Sequence, residues 1–270
     1  MVNKMHKTAR VVAWSDISAA VKRYPLIGML GWQDVKQRYR RSALGPFWLT
    51  ISMGVMIATI GVVFGKIFKT PLAEFLPFLT VGMIVWTFIS SVIAEGCLGF
   101  VAAEGVIKQL PLPLFIHVLR VVWRNFLILA HNIVIFPLVL LAVGKPIGLQ
   151  AFMSLPAMLL VIVNLAWAIL ILAVLCARYR DLPQIINSVL QVIFYLTPIM
   201  WMPTLLPERS GSVLLVFNPL FHLIEIVRAP LLSNATAALN WEVSIGLAIV
   251  GWTIALAVYG RYKTRIAYWL

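Results

Sequence analysis

The chain has 270 residues, of which 62% are hydrophobic and only 11% are charged, and its formal net charge is +13. Soluble domains carry about 25% charged residues, so this composition excludes a water-soluble enzyme and predicts an integral membrane protein. At this length the chain forms one membrane domain, without room for a large soluble catalytic domain beside its spans.

The N-terminal segment, about residues 14–41, mixes apolar with basic side chains and is divided at Pro25. Ser15 and Asp16 are predicted to cap a short helix that ends at Arg23. The amphipathic pattern after Pro25 predicts a helix that lies in the membrane interface. A solvated basic tail is the alternative, but the aromatic side chains of this segment favour anchoring at the interface.

Long gaps between charged residues predict the membrane spans, because about 20 apolar residues are needed to cross a bilayer. Six gaps predict six transmembrane helices, over about residues 44–65, 75–95, 120–143, 152–177, 182–202 and 243–260. The predicted fold class is therefore all-α integral membrane, and an even number of spans places both termini on one side. Gly61 and Gly65 form a GxxxG pattern in the first span, which favours close helix contact and would also suit a dimer face.

The basic residues predict the orientation of these spans. With six spans, 17 of the 22 Lys and Arg residues fall on the side of the termini. The positive-inside rule then predicts that both termini are cytoplasmic. The positive charge reflects this topology and contact with anionic lipid, so nucleic-acid binding is not needed to explain it.

The stretch between the fifth and sixth spans, about residues 203–233, holds charged residues in an apolar context. Its central block, Phe217–Leu232, contains two prolines and is too short to cross a bilayer, which needs about 20 residues. Such a block predicts short re-entrant or interfacial helices, which are stable only against protein or a water-filled cavity. The polar residues that stand out in the block are Asn218, His222, Glu225 and Arg228. Glu225 and Arg228 are three apart, so we expect them to pair with each other or across a dimer.

No pattern in the sequence predicts catalysis. The nearest match to a Walker A loop starts at Gly61, is one residue too short and lies on a predicted span. The four histidines have no cysteine or carboxylate at metal-ligand spacing, and no serine lies in a nucleophile elbow. We therefore expect neither a bound metal nor ATP hydrolysis by this chain. A polytopic enzyme that acts on polyprenyl-linked sugars is the alternative from another class, and it would need a catalytic acid or metal constellation.

Polar and aromatic residues within the spans each have two interpretations. Asn187 and Gln191, four apart in the fifth span, either form hydrogen bonds between helices or face a water-filled path. The aromatic residues form either a belt at the bilayer interfaces or stacking platforms for sugars in a pore. The belt is favoured for Trp48, and the pore suits the deeper Phe194 and Tyr195.

The connection between the second and third spans, Phe100–Pro113, is predicted to be cytoplasmic. It carries Glu104 and Lys108 four apart on a short helix that is stopped by prolines. A short exposed helix of this kind either docks into the groove of a partner protein or serves as a plain connecting turn.

Four blocks of the sequence occur in the order and spacing of one family: Asp34–Trp48, Arg178–Ile186, Thr197–Trp201 and Phe217–Leu232. They resemble the ABC-2 type permease subunits of bacterial polysaccharide exporters, which move O-antigen, capsule or teichoic acid. The resemblance covers nearly the whole chain from about Trp14. It implies that two copies form a channel in the bacterial cytoplasmic membrane. It also implies that a separate dimer of ATP-binding-cassette subunits binds ATP, so that this chain needs no cofactor.

The resemblance further implies roles for particular residues. The ATPase would contact the interface helix at about residues 17–37, including Asp34, and the cytoplasmic helix at about residues 102–110, including Glu104 and Lys108. The first and fifth helices would line the channel with aromatic side chains, namely Phe47, Trp48, Phe194 and Tyr195. Residues 203–233 would form an outer re-entrant gate that contains the four polar residues of the central block.

The resemblance makes a polyprenyl-pyrophosphate-linked glycan the expected substrate. Arg38, Arg40 and Arg41 are then candidate contacts for its pyrophosphate, because guanidinium forks suit phosphate oxygens. The alternative is that these arginines only follow the positive-inside rule. Within the same family, an exporter of drugs or of another small molecule is the second possible function.

Overall fold

The structure is a computed structural model that describes residues 2–38, 40, 45, 47–205 and 213–270, and for residues 2–9 it describes the backbone alone. All regular secondary structure within these ranges is helical. Helices satisfy their own backbone hydrogen bonds, which is what a chain in a bilayer requires. The prediction of an all-α protein is confirmed.

The helices are numbered here in chain order over the described ranges. They are α1 Val2–Lys22, α2 Tyr24–Arg38, α3 Phe47–Ile67, α4 Leu72–Cys97, α5 Glu104–Gln109, α6 Phe115–Asn132, α7 Ile135–Val143, α8 Ser154–Arg178, α9 Leu182–Leu196, α10 Pro219–Leu231 and α11 Ala238–Trp269. Short 3₁₀ helices occupy Val101–Ala103, Leu149–Met153 and Pro203–Leu205.

Five helical segments of the described chain are long and apolar enough to cross a membrane. They are α3, α4, the α6–α7 pair, α8 with the 3₁₀ helix before it, and α11. The fifth predicted span is shorter than expected, because α9 has 15 residues and ends at Leu196. That is about 22 Å of helix, against about 30 Å of hydrocarbon core. Thr197 is extended, the conformation favoured before a proline, and Pro198 follows it.

The N-terminal helix begins earlier than the sequence predicts. α1 runs from Val2 through Ser15 and Asp16, so both residues lie inside a helix, and the prediction that they cap one was wrong. The break between α1 and α2 falls at Arg23, beside Pro25. Proline is tolerated there because it lies in the first turn of α2, where its missing N–H has no helical partner to lose.

Helix α4 is the centre of the bundle and packs against α3, α6, α7, α8, α9 and α10. Two glycines allow its closest contacts. A Cβ on Gly96 would lie 2.5 Å from Ile169 of α8, and a Cβ on Gly61 of α3 would lie 2.5 Å from Leu76 of α4. The GxxxG pattern of Gly61 and Gly65 therefore serves a contact within the chain.

Both terminal helices meet at one end of the bundle, which we call the terminal end. Lys263, near the end of α11, lies 2.7 Å from the carboxylate of Asp16 in α1. The hydroxyl of Tyr259 donates a hydrogen bond of 2.6 Å to the same carboxylate. Asp16 therefore holds the two terminal helices together at this end.

Candidate functional site

A groove of about 440 Å³ runs between α3, α4 and α9. Its polar side chains come from two helices and are Thr87, Ser90, Ser91, Asn187 and Gln191. Hydroxyl and amide groups are costly on an apolar helix unless they face other polar groups or a water-filled path. The groove therefore combines five hydroxyl and amide side chains with a lining that is otherwise apolar.

Two aromatic rings stand beside these polar groups. Trp86 of α4 and Phe194 of α9 line the groove, and their ring centroids are 5.5 Å apart at an interplanar angle of 45°. Aromatic faces next to hydroxyl and amide groups present both a stacking surface and hydrogen-bond partners. Trp86 is one of the aromatic residues for which the sequence left both the belt and the pore open, and the resemblance did not assign it to the channel. Its four-residue offset from Ser90 on α4 is the sequence signal that places the two on one helix face.

The spacing of the side chains along α9 explains which face of this helix lines the groove. Asn187 and Gln191 lie one helical turn apart on the same face, and Leu190 between them is the buried residue of α9. Tyr195 is 63% exposed and packs edge-on against Phe194 at 5.3 Å. The structure thus brings Phe194 into the groove and leaves Tyr195 on the surface of the single chain.

The predicted channel aromatics of the first span lie apart from this groove. Phe47 and Trp48 open α3 and are 66% and 56% exposed. Phe47 contacts the ring of His131 edge-on, with centroids 6.3 Å apart. Neither residue lines the groove of the single chain.

A cluster of ion pairs joins α2 to α6 near the terminal end. The carboxylate of Asp34 accepts hydrogen bonds from Arg120 Nε at 2.7 Å and from Arg124 Nη1 at 3.2 Å. The Asp34 side chain is largely buried by these contacts. Asp34 was predicted to contact an ATPase, and the structure places it inside the chain between two arginines.

The same cluster extends to the end of α4. Glu95 accepts hydrogen bonds from Arg124 Nε at 3.1 Å, from Asn125 Nδ2 at 2.6 Å and from Arg38 Nη2 at 3.0 Å. The charge cluster therefore comprises Arg38, Arg120 and Arg124 with Asp34 and Glu95, and it carries one surplus positive charge. It connects α2, α4 and α6, and it lies at the end of the groove where Ala94, the neighbour of Glu95, is a lining residue.

The three arginines that were predicted to contact pyrophosphate are described unequally. Arg38 is half exposed and held by Glu95. Arg40 is exposed. Arg41 lies outside the described residues.

The short cytoplasmic helix of the sequence prediction is present as α5. Lys108 Nζ lies 2.7 Å from Glu104 Oε1, and both side chains are largely open to solvent. This hydrogen bond holds the pKa of Glu104 below its ordinary value. The pair is therefore charged on both sides at neutral pH, and it gives α5 a charged outer face.

The polar residues of the central block anchor α10. Asn218 caps the helix, since its side-chain oxygen accepts from the backbone N–H groups of Leu220 at 3.0 Å and Phe221 at 3.1 Å. Its amide nitrogen donates to Thr197 at 2.8 Å. His222 is buried, with Nδ1 2.7 Å from Asn240 Oδ1 and Nε2 2.9 Å from a backbone carbonyl.

Arg228 is the most unusual side chain of this segment, because it is charged and only 1% exposed. Its Nε donates to Glu225 at 2.9 Å, and its Nη1 donates to the carbonyl of Pro198 at 2.6 Å. The guanidinium lies over the ring of Phe78, 3.9 Å from its centroid. The expected pairing of Glu225 with Arg228 is therefore present within the chain, and it ties α10 to α4 and to the end of α9.

Asp16 is the polar residue whose role sequence reasoning missed. Besides Lys263 and Tyr259, its carboxylate accepts from the backbone N–H groups of Leu114 at 3.4 Å and Phe115 at 3.0 Å. It thus caps the N-terminus of α6 from a different helix. A signal was available, because Asp16 falls in the buried stripe of α1 with Ala13, Ile17 and Ala20.

The sequence of the chain is similar to those of known transporter subunits. The sequence model of the ABC-2 type transporter family matches residues 25–232, well over half of the chain. The chain belongs to the ABC-2 type transporter family. The match runs from the start of α2 to the end of α10. It therefore includes the groove and the charge cluster.

Three relatives of this ABC-2 chain carry the same description. Two proteins of Klebsiella pneumoniae, each described as O-antigen export system permease protein RfbA, are 24% identical over 248 and 249 residues, which is 90% of this chain and 94% of theirs. A Myxococcus xanthus protein of the same description is 24% identical over 202 residues, 73% of this chain and 76% of its own.

Proposed function

We propose that this ABC-2 chain is the channel-forming permease subunit of an ATP-driven exporter. Its substrate would be a lipid-linked polysaccharide, with O-antigen first, and the membrane would be the bacterial cytoplasmic membrane. Two copies would form the channel, and a separate ATP-binding-cassette dimer would bind and hydrolyse ATP. The relatives' descriptions support the substrate class, and the lack of a Walker A loop in the sequence supports a separate ATPase.

The groove between α3, α4 and α9 is the observation that carries this proposal. A glycan presents hydroxyl groups at its edges and C–H groups on its ring faces. Hydroxyl and amide side chains suit the first, and the rings of Trp86 and Phe194 suit the second. Stacking on aromatic faces tolerates different sugars, which suits a polymer that must move past one place repeat by repeat. In a dimer, the exposed Phe47, Trp48 and Tyr195 would extend this surface along the shared channel.

We place both termini in the cytoplasm and assign six crossings to the chain. The contact of Asp16 with Lys263 supports an even number of crossings, because it brings the two terminal helices to one face. Helix α9 together with the turn that follows it at Thr197 would make the remaining crossing, the fifth in chain order. The excess of basic residues on that face supports its cytoplasmic location.

The pyrophosphate of the carrier lipid would bind at Arg38, Arg40 and Arg41. Arg38 is held by Glu95 in the resting chain, so a bound pyrophosphate would compete with that carboxylate for the guanidinium. The surplus positive charge of the cluster makes such an exchange favourable, because an incoming anion would meet a net cation.

The ATPase would contact α2 and α5, and the motion would reach the outer gate through the bundle. Glu104 and Lys108 offer a charged surface for this contact. Asp34 would act from inside the chain, by fixing α2 to α6, instead of touching the ATPase. At the other end, α10 would form part of the gate, held in place by Asn218, His222 and the Glu225–Arg228 pair.

The groove provides the direct test. Gln191→Leu and Phe194→Leu should each lower the amount of O-antigen at the cell surface by about tenfold, if each removes a contact of typical strength at every repeat. Ser188→Leu is the matched control, because Ser188 is an exposed hydroxyl of α9 outside the groove. Membrane levels of each variant are measured alongside by immunoblot.

A second measurement separates glycan export from export of a small molecule. The chain is purified with its ATPase partner, and ATP hydrolysis is followed with and without the lipid-linked glycan. Glycan-dependent hydrolysis that Phe194→Leu weakens and Ser188→Leu does not is the expected result. A chain that purifies without any ATPase, or hydrolysis that ignores the glycan, would contradict the proposal.

A further inference from the structure

Near the terminal end, helix α6 has a charged inner face and an apolar outer face. Its inner face carries Arg120 and Arg124, which bind acidic partners within the chain. Its outer face presents an apolar stripe at positions i, i+3, i+4 and i+7, namely Leu119, Val122, Trp123 and Phe126. Such a stripe requires an apolar cover at the depth where water and head groups begin.

The break between α1 and α2 covers this stripe only in part. An apolar groove of about 660 Å³ remains between the break and the stripe of α6, and Ile162 of α8 also lines it. We call it the hinge groove. The stripe runs from Leu119 to Phe126, about 10 Å along α6. Trp123 is 36% exposed there and stacks on Phe126, with centroids 5.7 Å apart.

Two glycines of α2 lie near the hinge groove, and only Gly28 lines it. Gly28 lies inside α2, where glycine costs about 0.5–1 kcal/mol relative to alanine. A Cβ on Gly28 would meet nothing within 4 Å, so close packing does not require glycine here. Gly31 is different, since its Cβ would lie 2.6 Å from the Trp123 ring. Gly31 therefore serves helix contact, whereas Gly28 leaves space.

The rim of the hinge groove is cationic and aromatic. Lys22 and Arg23 lie between the lining residues Val21 and Tyr24, and both are exposed. Tyr24, itself largely exposed, places a ring with a polar tip at the same level. Cations beside amphipathic aromatic rings are the residues that meet phosphate head groups at a membrane surface.

We propose that the hinge groove binds an anionic phospholipid of the leaflet at the terminal end. One acyl chain would lie along the stripe of α6, and the phosphate would contact Lys22 and Arg23. The carrier lipid of the exported glycan is the less fitting occupant, because the hinge groove shares no residue with the groove between α3, α4 and α9. The bound lipid would brace the break between the two N-terminal helices.

The test measures binding of single lipids to the purified full-length chain by native mass spectrometry. Phosphatidylglycerol and phosphatidylcholine with identical acyl chains are titrated separately. The wild type should prefer phosphatidylglycerol. The double variant K22Q/R23Q should lose this preference by about fivefold for each cation removed, while its affinity for phosphatidylcholine is retained.

Filling the hinge groove should act on both lipids alike. Gly28→Leu should weaken the first binding event of each lipid by about tenfold, because the leucine occupies the place of the acyl chain. Gly246→Leu is the matched control, since a Cβ on Gly246 also meets nothing within 4 Å and the residue lies on α11 outside the hinge groove. R261Q/R265Q is the control for charge, because both arginines are exposed on α11.

Three results would overturn the proposal. The first is that Gly28→Leu binds both phospholipids as the wild type does. The second is that Gly246→Leu and R261Q/R265Q lose as much binding as the test variants. The third is that Gly28→Leu loses binding of polyprenyl phosphate, titrated in the same way, without any change in phospholipid binding. The last result would assign the hinge groove to the substrate. If Gly28→Leu does not fold, the preference of K22Q/R23Q for phosphatidylglycerol over phosphatidylcholine still tests the proposal.

Discussion

Arg228 and Asp16 are buried charged residues, and each is satisfied by several partners at once. Arg228 contacts Glu225, the carbonyl of Pro198 and the ring of Phe78. Asp16 accepts from two side chains and two backbone groups. A buried charge is tolerated only with such compensation, because removal of one partner leaves the other desolvated and unpaired.

Replacement of Arg228 by Leu should lower the free energy of unfolding by about 2–4 kcal/mol, below the largest values for buried pairs because Glu225 is partly exposed. The free energy of unfolding of Arg228→Lys should lie between those of the wild type and Arg228→Leu, since lysine keeps the charge but cannot fork to two acceptors. The exchange E225R/R228E should not restore stability, because Pro198 and Phe78 need a cation at position 228. Thermal unfolding of the purified variants checks this, and full restoration by the exchange would contradict it.

Asp16→Ala should destabilise the chain by about 3–4 kcal/mol, because Lys263, Tyr259 and two backbone N–H groups lose their acceptor together. Asp16→Asn keeps an oxygen for the backbone groups and should cost about half as much. Lys263→Met should have the smallest effect, since Lys263 is partly exposed and Asp16 keeps its other donors. The order of the three unfolding temperatures is the measurement, and a Lys263→Met protein as unstable as Asp16→Ala would refute this account.

At the scale of elements, α2 and α5 are attached to the bundle in different ways. The ion pairs of Asp34 and Glu95 fix α2 to α4 and α6, whereas α5 is a six-residue helix with no buried residue. A helix of that length is not stable alone, so its place depends on the prolines that follow it and on any partner it contacts. The two elements proposed to meet the ATPase therefore differ in rigidity.

The exchange E104K/K108E should separate the stability of α5 from its docking. The ion pair persists with its partners reversed, so the unfolding temperature should hardly change, while ATP hydrolysis and export should fall with the altered surface. Because Lys108 lowers the pKa of Glu104, the ionised carboxylate stabilises the folded chain at every pH above its unfolded-state pKa of about 4.3. This stabilisation is lost only as the pH falls through the lowered pKa of the folded chain. Assays between pH 6 and 8 therefore compare charged pairs.

E104Q/K108Q is the control for that exchange, since it removes both charges and keeps the side-chain size. It should reduce coupling to a smaller extent, because it removes attraction without adding repulsion. Unchanged export in the exchanged variant would show that α5 is only a connecting turn.

At the scale of the whole molecule, one face gathers the contact between both terminal helices, α5 and the charge cluster, and the opposite face carries the ends of α7 and α10. The carbonyl of Leu270 accepts from Arg180 Nη2 at 3.3 Å, which brings the connection before α9 to the terminal end as well.

Cysteine labelling in intact cells checks this topology in a chain with Cys97→Ala and Cys176→Ala, both buried in the wild type. Gln150→Cys and Ala237→Cys should react with a membrane-impermeant maleimide from outside, because both positions are exposed. Lys108→Cys and Arg265→Cys should react only after permeabilisation, and labelling of Arg265→Cys in intact cells would exclude a cytoplasmic C-terminus.

Elements that depend on local pattern could be predicted from the sequence. The charge-free gaps predicted the five helical segments that are long and apolar enough to cross a membrane, although α11 runs to Trp269, beyond the predicted end of its span near residue 260. Pro25 marked the break after α1, and the spacing of Glu225 and Arg228 predicted their pair. Helix formation, proline effects and contacts between neighbours on one helix act over a few residues. A reading of consecutive residues is therefore sufficient to find them.

Which distant groups meet depends on the tertiary structure. Asp16 was expected to cap its own helix and instead caps α6, about a hundred residues away, and Asp34 was expected to contact an ATPase and lies between Arg120 and Arg124. The groove likewise needs α3, α4 and α9 side by side before its side chains face one another. Such contacts depend on how helices pack in three dimensions, and hydrophobic periodicity states only which face of a helix is apolar, not which neighbour will cover it.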